Sequence, residues 1–319
     1  MLRTSIAWKN GQWLPFDQVQ LALDDWGVLQ GAVIVDRLRT INTRPLDVGL
    51  HLTRLKSNCE SMGIDSTELG QLGDVIIECA RHNQSRVVDR DFSIVVLVTP
   101  GLTSVENAPT LIVHIQPLKW ATIEYWYEYG QPLIVATNRN VPPACWSPQL
   151  KTRSRLQYYL ADKEAIKHSG PHAGAVLLDT DGYVTETSAA NVIVVDRAGN
   201  VCCSPAERIL GGISLLRTLR LAEASGLRVV RQAISLEMIE TAREVILTGT
   251  SACIWSASKI GEVALSKPTE RPVFRELSAR WIADVGYDFR RRPSPGTDNA
   301  YSPTLRKDAA ADSGEMGLM

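Results

Sequence analysis

The sequence predicts an α+β protein of two domains. Its 319 residues are enough for two domains of ordinary size, each with its own core. The first third reads as strands followed by helices, and the second half combines a strand meander with further helices. Between these parts, residues 121–130 are aromatic and polar without a clear period, which is typical of a connection.

The first domain is predicted to span residues 1–120. Asn10 and Gly11 tolerate positive φ, so they predict a hairpin between two short strands. A strand rich in β-branched residues follows at 33–41. Apolar residues then recur at helical spacing until Gly63, which predicts a helix that ends there. The remaining predicted elements of this domain are a helix at 68–79 and strands at 92–98 and 110–115.

After a connection at 121–131, the second domain is predicted to span residues 132–290. Its first predicted helix, at 154–168, carries apolar side chains on one face, the pattern of an amphipathic helix. These side chains are Leu156, Tyr159, Leu160 and Ile166. The other predicted elements are strands at 175–178, 192–195, 201–202, 227–230 and 244–247, and helices at 213–224 and 236–242. From 291 to 319 the chain is polar, so we expect a disordered tail.

The composition argues against several partners. The formal net charge is -1, from 34 basic and 35 acidic residues, so nucleic acid is not an expected partner. The first residues form no apolar signal region, and no segment approaches the roughly 18 uninterrupted apolar residues of a membrane helix. The six cysteines have no zinc-like spacing. We therefore expect reduced thiols, no metal site, no membrane contact and a cytoplasmic protein.

Three local features carry the chemistry. Lys151 precedes a predicted helix, Glu186 lies in the polar stretch 185–191, and small-residue turns occur at 211–214 and 249–251. Each has an ordinary structural explanation when taken singly: a solvated lysine, an edge charge, a turn. Together they could supply an imine-forming amine, a carboxylate for a pyridine nitrogen, and backbone donors for a phosphate. These are the minimum needs of pyridoxal phosphate.

Five stretches also match, in order, the class IV aminotransferases. They are 51–55; Leu150 and Lys151 with 161–165 downstream; 181–186 with Asn191 and Val192; 209–213 with Arg217; and Glu244 and Val245 with Gly249 and Thr250. The sequence thus resembles the fold type IV pyridoxal-phosphate enzymes. That family includes branched-chain and D-amino-acid aminotransferases and 4-amino-4-deoxychorismate lyase. The resemblance implies a two-domain α+β fold, a cofactor cleft between the domains, and a homodimer.

The resemblance also implies roles for individual residues. Lys151 would hold pyridoxal 5′-phosphate as an imine and later move a proton between the substrate and the cofactor. Glu186 would pair with the protonated pyridine nitrogen. The cofactor phosphate would be bound by Arg54, Ile213, Ser214 and Thr250. The turn through Ser251 and Ala252 could receive the substrate carboxylate.

A surplus of arginines adds a possible substrate contact. Arg37, Arg39, Arg153 and Arg155 lie near the matched stretches, and an arginine fork suits a carboxylate. If two of them face the cleft, they could hold a second carboxylate of the substrate. Arg39 is the one that we assign to substrate binding. The alternative is that they lie on exposed faces of a strand and a helix.

Some positions depart from the pattern of each branch. Leu156 stands where branched-chain enzymes carry a tyrosine, and we expect Tyr158 and Tyr159 to point away from the cofactor. Residues 105–107 lack the Arg-x-His of D-amino-acid aminotransferases, which argues against D-amino acids. Asp36 and Arg37 replace the paired threonines of the lyase, although 151–156 resembles the lysine segment of that branch.

Three hypotheses follow. The first is an aminotransferase that acts on an L-amino acid and a 2-oxo acid, with branched-chain amino acids as the default. The second is a 4-amino-4-deoxychorismate lyase that releases pyruvate and 4-aminobenzoate. The third is a pyridoxal-phosphate-binding protein without turnover, which the presence of both Lys151 and Glu186 makes the weakest.

Overall fold

A computed structural model describes residues 4–65, 67–87 and 89–292 of the chain. Within these ranges the backbone forms two sheets with helices packed on them, which confirms the α+β fold class. The first sheet has the order β2-β1-β6-β5-β3-β4. Its strands are β1 (Ile6–Lys9), β2 (Gln12–Pro15), β3 (Ile34–Ile41), β4 (Arg44–Pro45), β5 (Phe92–Thr99) and β6 (Thr110–Pro117).

The helices within the same ranges run as α1 (Trp26–Leu29), α2 (Val48–Ser61), α3 (Leu72–Gln84), α4 (Trp120–Tyr129), α5 (Leu156–Ser169), α6 (Ile213–Ala224), α7 (Leu236–Glu240) and α8 (Pro272–Val285). Helices α2 and α3 pack on the first sheet and bury the apolar faces that the helical spacing predicted. The β1–β2 hairpin turns through Asn10 (φ 40) and Gly11 (φ 88), as their tolerance of positive φ predicted. No helix of the described residues has the length and apolar character that crossing a membrane requires.

The second sheet has nine strands and curls until two of its strands meet. Its order is β12-β11-β10-β13-β14-β7-β8-β9, with β15 beside β14. The strands are β7 (Gln131–Val135), β8 (Gly174–Leu178), β9 (Val184–Thr187), β10 (Asn191–Val195), β11 (Val201–Cys203), β12 (Val229–Arg231), β13 (Glu244–Gly249), β14 (Cys253–Ile260) and β15 (Val263–Ala264). A further pairing of Glu186 with Asn191 joins β9 to β10 and closes six strands, β9 and β10 included, into a ring.

The segment before α5 connects the two sheets. The Val35 N–H donates to the carbonyl of Lys151 (2.9 Å), and the Arg153 N–H donates to the carbonyl of Val33 (2.9 Å). This short segment thus pairs with the start of β3 in the first sheet. Helix α5, which follows directly, packs on β7 and β8 of the second sheet. Lys151 therefore lies where the two halves of the chain meet.

Two segments differ from the sequence prediction. The connection predicted at 121–131 contains helix α4, whose Trp126 ring stacks on Trp255 at 5.1 Å. Its helical period was hidden because aromatic residues occupy the exposed side as well as the buried one. In α5, the predicted apolar face is exposed, and the buried residues are Ala161 and Ala165. Their small side chains let the helix lie close to the sheet.

Strand β14 and helix α8 are among the elements that were not predicted from the sequence. Both contribute to the core around Trp281. The predicted tail at 291–319 lies outside the described residues from position 293 onward. The last described residue, Arg292, donates from Nε to Asp89 Oδ1 at 2.7 Å.

Candidate active site

Two adjoining cavities open where the segment before α5 meets the second sheet. They share Lys151, Arg155, Tyr158, Glu186 and Leu210 in their walls. One extends toward Asn140 and Trp146, and the other toward the start of α6. The sequence-predicted cofactor residues Arg54, Lys151, Glu186, Ile213, Ser214 and Thr250 all line the second cavity.

Lys151 is fixed through its main chain while its amine faces the cavity. Its N–H donates to Asn58 Oδ1 at 2.7 Å, and its carbonyl accepts from Val35. Burial, together with the charges of Arg54 and Arg155, lowers the pKa of the Lys151 amine to about 7, while Asp36 and Glu186 act in the opposite direction. About half of the amine is therefore neutral at pH 7, the form that attacks an aldehyde.

Glu186 is a buried carboxylate with three donors. Tyr158 donates its hydroxyl to Oε1 at 2.7 Å, while Asn191 Nδ2 (3.0 Å) and the Leu210 N–H (3.2 Å) donate to Oε2. Burial raises the pKa of Glu186, and the hydrogen bonds from Tyr158 and Leu210 act in the opposite direction. The carboxylate keeps lone pairs that can accept from a protonated ring nitrogen in the cavity.

The position of Tyr158 corrects the expectation that it points away from the site. Tyr158 lies in the first turn of α5, and helical side chains lean toward the N-terminus of their helix. Its ring therefore extends past the start of α5 toward Glu186. Tyr159, by contrast, is exposed, as expected for a side chain turned away from the site. Sequence reasoning named Glu186 but missed Tyr158 and Asn191 as its partners.

The other end of the second cavity suits a phosphate group. Helix α6 begins there at Ile213 without a side-chain cap, so its first N–H groups face the cavity with the positive end of the helix dipole. The nearby Thr248 hydroxyl is buried and has no hydrogen-bond partner among the described residues. A Cβ on Gly212 would lie 2.0 Å from Asn191 Oδ1, so only glycine fits at this turn. These features fit pyridoxal phosphate.

Arg54 is held in the wall of this cavity by a buried carboxylate. Its Nε and one terminal nitrogen donate to the two oxygens of Asp36, both at 2.8 Å, and its other terminal nitrogen donates to the Gly211 carbonyl (3.0 Å). His51 Nδ1 also lies 2.6 Å from Asp36. Burial raises the pKa of Asp36, but Arg54 and His51 together hold it well below its usual range. The sequence analysis treated Asp36 as a departure from the lyase and missed this role.

Arg39 does not contact the cavities, which corrects its assignment to substrate binding. It is fully buried, and it donates to the carbonyls of Ser251 (2.9 Å) and Phe289 (3.0 Å). The Ala252 carbonyl in the same turn accepts from the Tyr127 hydroxyl. Arg39 therefore positions the turn that follows Thr250. A substrate contact by Ser251 and Ala252 through their N–H groups stays a prediction.

The other three arginines named from the sequence, Arg37, Arg153 and Arg155, form a cluster beside the site. Arg155 lines both cavities and its guanidinium lies 4.5 Å from the Tyr158 ring centre. Arg37 donates to Gln116, and its pKa falls to about 10 through burial and the charges of Arg153 and Arg155. In the described parts of the chain, these three arginines form no ion pair with a carboxylate. They leave a local excess of positive charge next to the cavities.

Among the described residues, no group of three or more histidine, cysteine, aspartate or glutamate side chains could hold a metal ion. The described cysteines are all free thiols, and five of the six are buried.

Comparison with known proteins agrees with the geometry. A family model described as amino-transferase class IV matches residues 34–260. The chain is 26% identical over 294 residues to a putative branched-chain-amino-acid aminotransferase of Methanocaldococcus jannaschii, covering 88% of this chain and 98% of that protein. The chain is also 26% identical over 278 residues to branched-chain-amino-acid aminotransferase-like protein 1 of Arabidopsis thaliana, and this match covers 85% of the chain. The chain spans about half (49%) of the length of that plant relative.

The fold is also similar to that of solved structures. One is a hypothetical aminotransferase from Mycobacterium tuberculosis in its PLP-bound form, with a TM-score of 0.77 at 16% identity. That match covers 88% of this chain and 100% of the other chain.

Proposed function

The chain belongs to the class IV aminotransferases, and from this premise we propose that it transfers the amino group of an L-amino acid to a 2-oxo acid. Pyridoxal 5′-phosphate is the cofactor. One observation carries the proposal: an amine with a lowered pKa, a buried carboxylate and an uncapped helix N-terminus adjoin a single cavity. These groups belong to Lys151, Glu186 and α6.

When bound, pyridoxal phosphate supplies an aldehyde that takes up the amino group and a ring that withdraws electrons from the substrate α-carbon. Lys151 holds the cofactor and, once its amine is free, carries the proton that leaves the α-carbon. Glu186 holds a proton at the ring nitrogen. Arg54, the Ile213 and Ser214 N–H groups and the Thr250 hydroxyl hold the phosphate, while the turn at Ser251 and Ala252 receives the substrate carboxylate.

Branched-chain amino acids are the proposed donors. The M. jannaschii and A. thaliana relatives carry the branched-chain name, and residues 105–107 lack the Arg-x-His of D-amino-acid enzymes. A second candidate is the release of pyruvate and 4-aminobenzoate from 4-amino-4-deoxychorismate, which the resemblance of residues 151–156 to the lyase branch favours.

The proposal includes a cytoplasmic homodimer. Four large apolar side chains of α5 are exposed in the single chain: Leu156, Tyr159, Leu160 and Ile166. An apolar surface of this kind on a helix suits burial against a second copy. The six cysteines are unpaired, as is usual in a reducing compartment.

Spectra recorded during half-reactions test the proposal. Holoenzyme given only leucine, isoleucine or valine should lose its visible absorbance, because the amino group stays on the cofactor. The amount of donor consumed should equal the amount of enzyme. A 2-oxo acid such as 2-oxoglutarate should then restore the spectrum. A Lys151→Ala protein should give no turnover. If no donor bleaches the spectrum, but aminodeoxychorismate yields pyruvate while the absorbance persists, the lyase is the correct function.

A further inference from the structure

Tyr158 has no role in the proposed chemistry, yet its hydroxyl contacts the carboxylate on which that chemistry depends. We propose that Tyr158 is a positioning residue that keeps Glu186 ionised and oriented, and so keeps the proton on the cofactor ring nitrogen. The inference rests on the proposed function, because it assigns the ring nitrogen to Glu186. It adds a residue from α5 to a contact that otherwise involves β9, β10 and the segment before α6.

The two oxygens of Glu186 have different surroundings. Asn191 and the Leu210 N–H both donate to Oε2, whereas Tyr158 is the donor to Oε1. The Tyr158 contact is also the shortest of the three, at 2.7 Å. In the described part of the chain, loss of the Tyr158 hydroxyl would leave Oε1 without a donor. Because Glu186 is only 7% exposed, water has little access to replace it.

The charge of Glu186 depends on these donors. Burial favours the protonated carboxyl, and a hydrogen bond from a hydroxyl favours the carboxylate. Burial also raises the pKa of Tyr158 well above its usual value, so the phenol keeps its proton and remains a donor. The Arg155 guanidinium over the Tyr158 ring adds positive charge to the same chain of contacts. Arg155 thus contacts the Tyr158 ring, and the Tyr158 hydroxyl contacts Glu186, so these contacts connect the start of α5 to β9.

The consequence concerns a single proton shared between Glu186 and the ring nitrogen. If Tyr158 stops donating, the proton affinity of Glu186 rises. The proton then moves from the nitrogen to the carboxyl, and the ring becomes a weaker acceptor of electrons. A tyrosine that only fills space would not produce this change, because phenylalanine fills nearly the same space.

The test compares Tyr158→Phe with Tyr159→Phe, since Tyr159 is the adjacent but exposed tyrosine of the same helix. Each apoprotein is loaded with pyridoxal phosphate that carries ¹⁵N in its ring, and the nitrogen resonance is followed against pH. In Tyr158→Phe the resonance should move toward that of an unprotonated pyridine, and kcat should fall roughly tenfold to a hundredfold with a smaller change in KM. Tyr159→Phe should match the parent in both measurements.

A second variant covers the case in which Tyr158→Phe does not fold. A 3-fluorotyrosine at position 158 keeps the ring and the hydroxyl but makes the phenol a stronger donor. At a given pH, the nitrogen resonance should then lie closer to that of a protonated pyridine than it does in the parent. The inference is overturned if the nitrogen resonance of either variant follows that of the parent. If the parent itself binds the cofactor but transfers no amino group, the proposed function fails instead.

Discussion

The Lys151 amine lies between positive and negative groups, and its charge decides when it can react. Arg54 and Arg155 lower its pKa together with burial, whereas Asp36 and Glu186 raise it by less. The result, a pKa of about 7, lies far below the ordinary value of a lysine. Between about pH 6 and about pH 8, the neutral fraction of the amine therefore rises from about a tenth to about nine tenths.

A pH dependence of cofactor capture follows. Below pH 7 most of the Lys151 amine is protonated and cannot attack an aldehyde, and above pH 7 most of it is neutral. The rate at which apoprotein captures pyridoxal phosphate should therefore rise between about pH 6 and about pH 8 and then level off. Stopped-flow absorbance measures this rate, with Lys163→Ala, a change at an exposed lysine, as the control. A rate that keeps rising up to the ordinary pKa of lysine would contradict the lowered value.

Single residues also show how far the sequence could predict the site. Lys151, Glu186 and the small-residue turns were found because each is a local signal within a few positions. Asp36 and Tyr158 were not, since they act on Arg54 and Glu186 from 18 and 28 positions away. Such partners become visible only when the elements that carry them are packed together.

At the scale of elements, the pairing of β3 with residues 151–153 brings Arg37 near Arg153 and Arg155. These two segments lie more than 100 positions apart, so the sequence could count the arginines but not group them. In the described ranges, none of these three arginines forms an ion pair with a carboxylate. A substrate with a second carboxylate would supply one.

Arg37→Gln tests the contribution of this cluster to substrate choice. The KM for 2-oxoglutarate, a dicarboxylate, should rise roughly tenfold, because a positive charge beside the cavities is lost. The KM for 4-methyl-2-oxopentanoate, which has one carboxylate, should change little. Arg139→Gln, at an exposed arginine, should leave both values as they are. Equal effects on the two oxo acids would show that Arg37 does not distinguish them.

Helices α4 and α5 show why pattern alone did not give the elements in full. In α4, aromatic side chains surround the helix, so no single face stood out. In α5, the apolar face is on the outside, and burial is achieved with alanines at 161 and 165. Helical spacing gave the position of α5 but not which of its faces meets the sheet.

At the scale of the whole molecule, the exposed apolar face of α5 can be buried only by contact with another molecule, which we propose to be a second copy of the chain. Leu160→Glu would place a charge within the surface that we propose to be covered by a second copy. The dissociation constant of the homodimer should rise at least roughly tenfold, since a buried unpaired charge is costly. Sedimentation measures this change, and Arg81→Glu, at an exposed residue of α3, is the control. A chain that is monomeric before substitution would refute the homodimer.

The backbone pairing of Lys151 with β3 has a thermodynamic consequence. The main-chain partners of Lys151 are in β3 and in α2, which packs on the first sheet, whereas Glu186 lies in β9 and α6 packs on the second sheet. A ligand held by all three binds only while both halves are folded and docked. Its binding free energy is then added to the stability of the docked state alone, so the ligand couples the unfolding of the two halves. Saturation with cofactor should merge their melting into one transition, even if the empty protein melts in two.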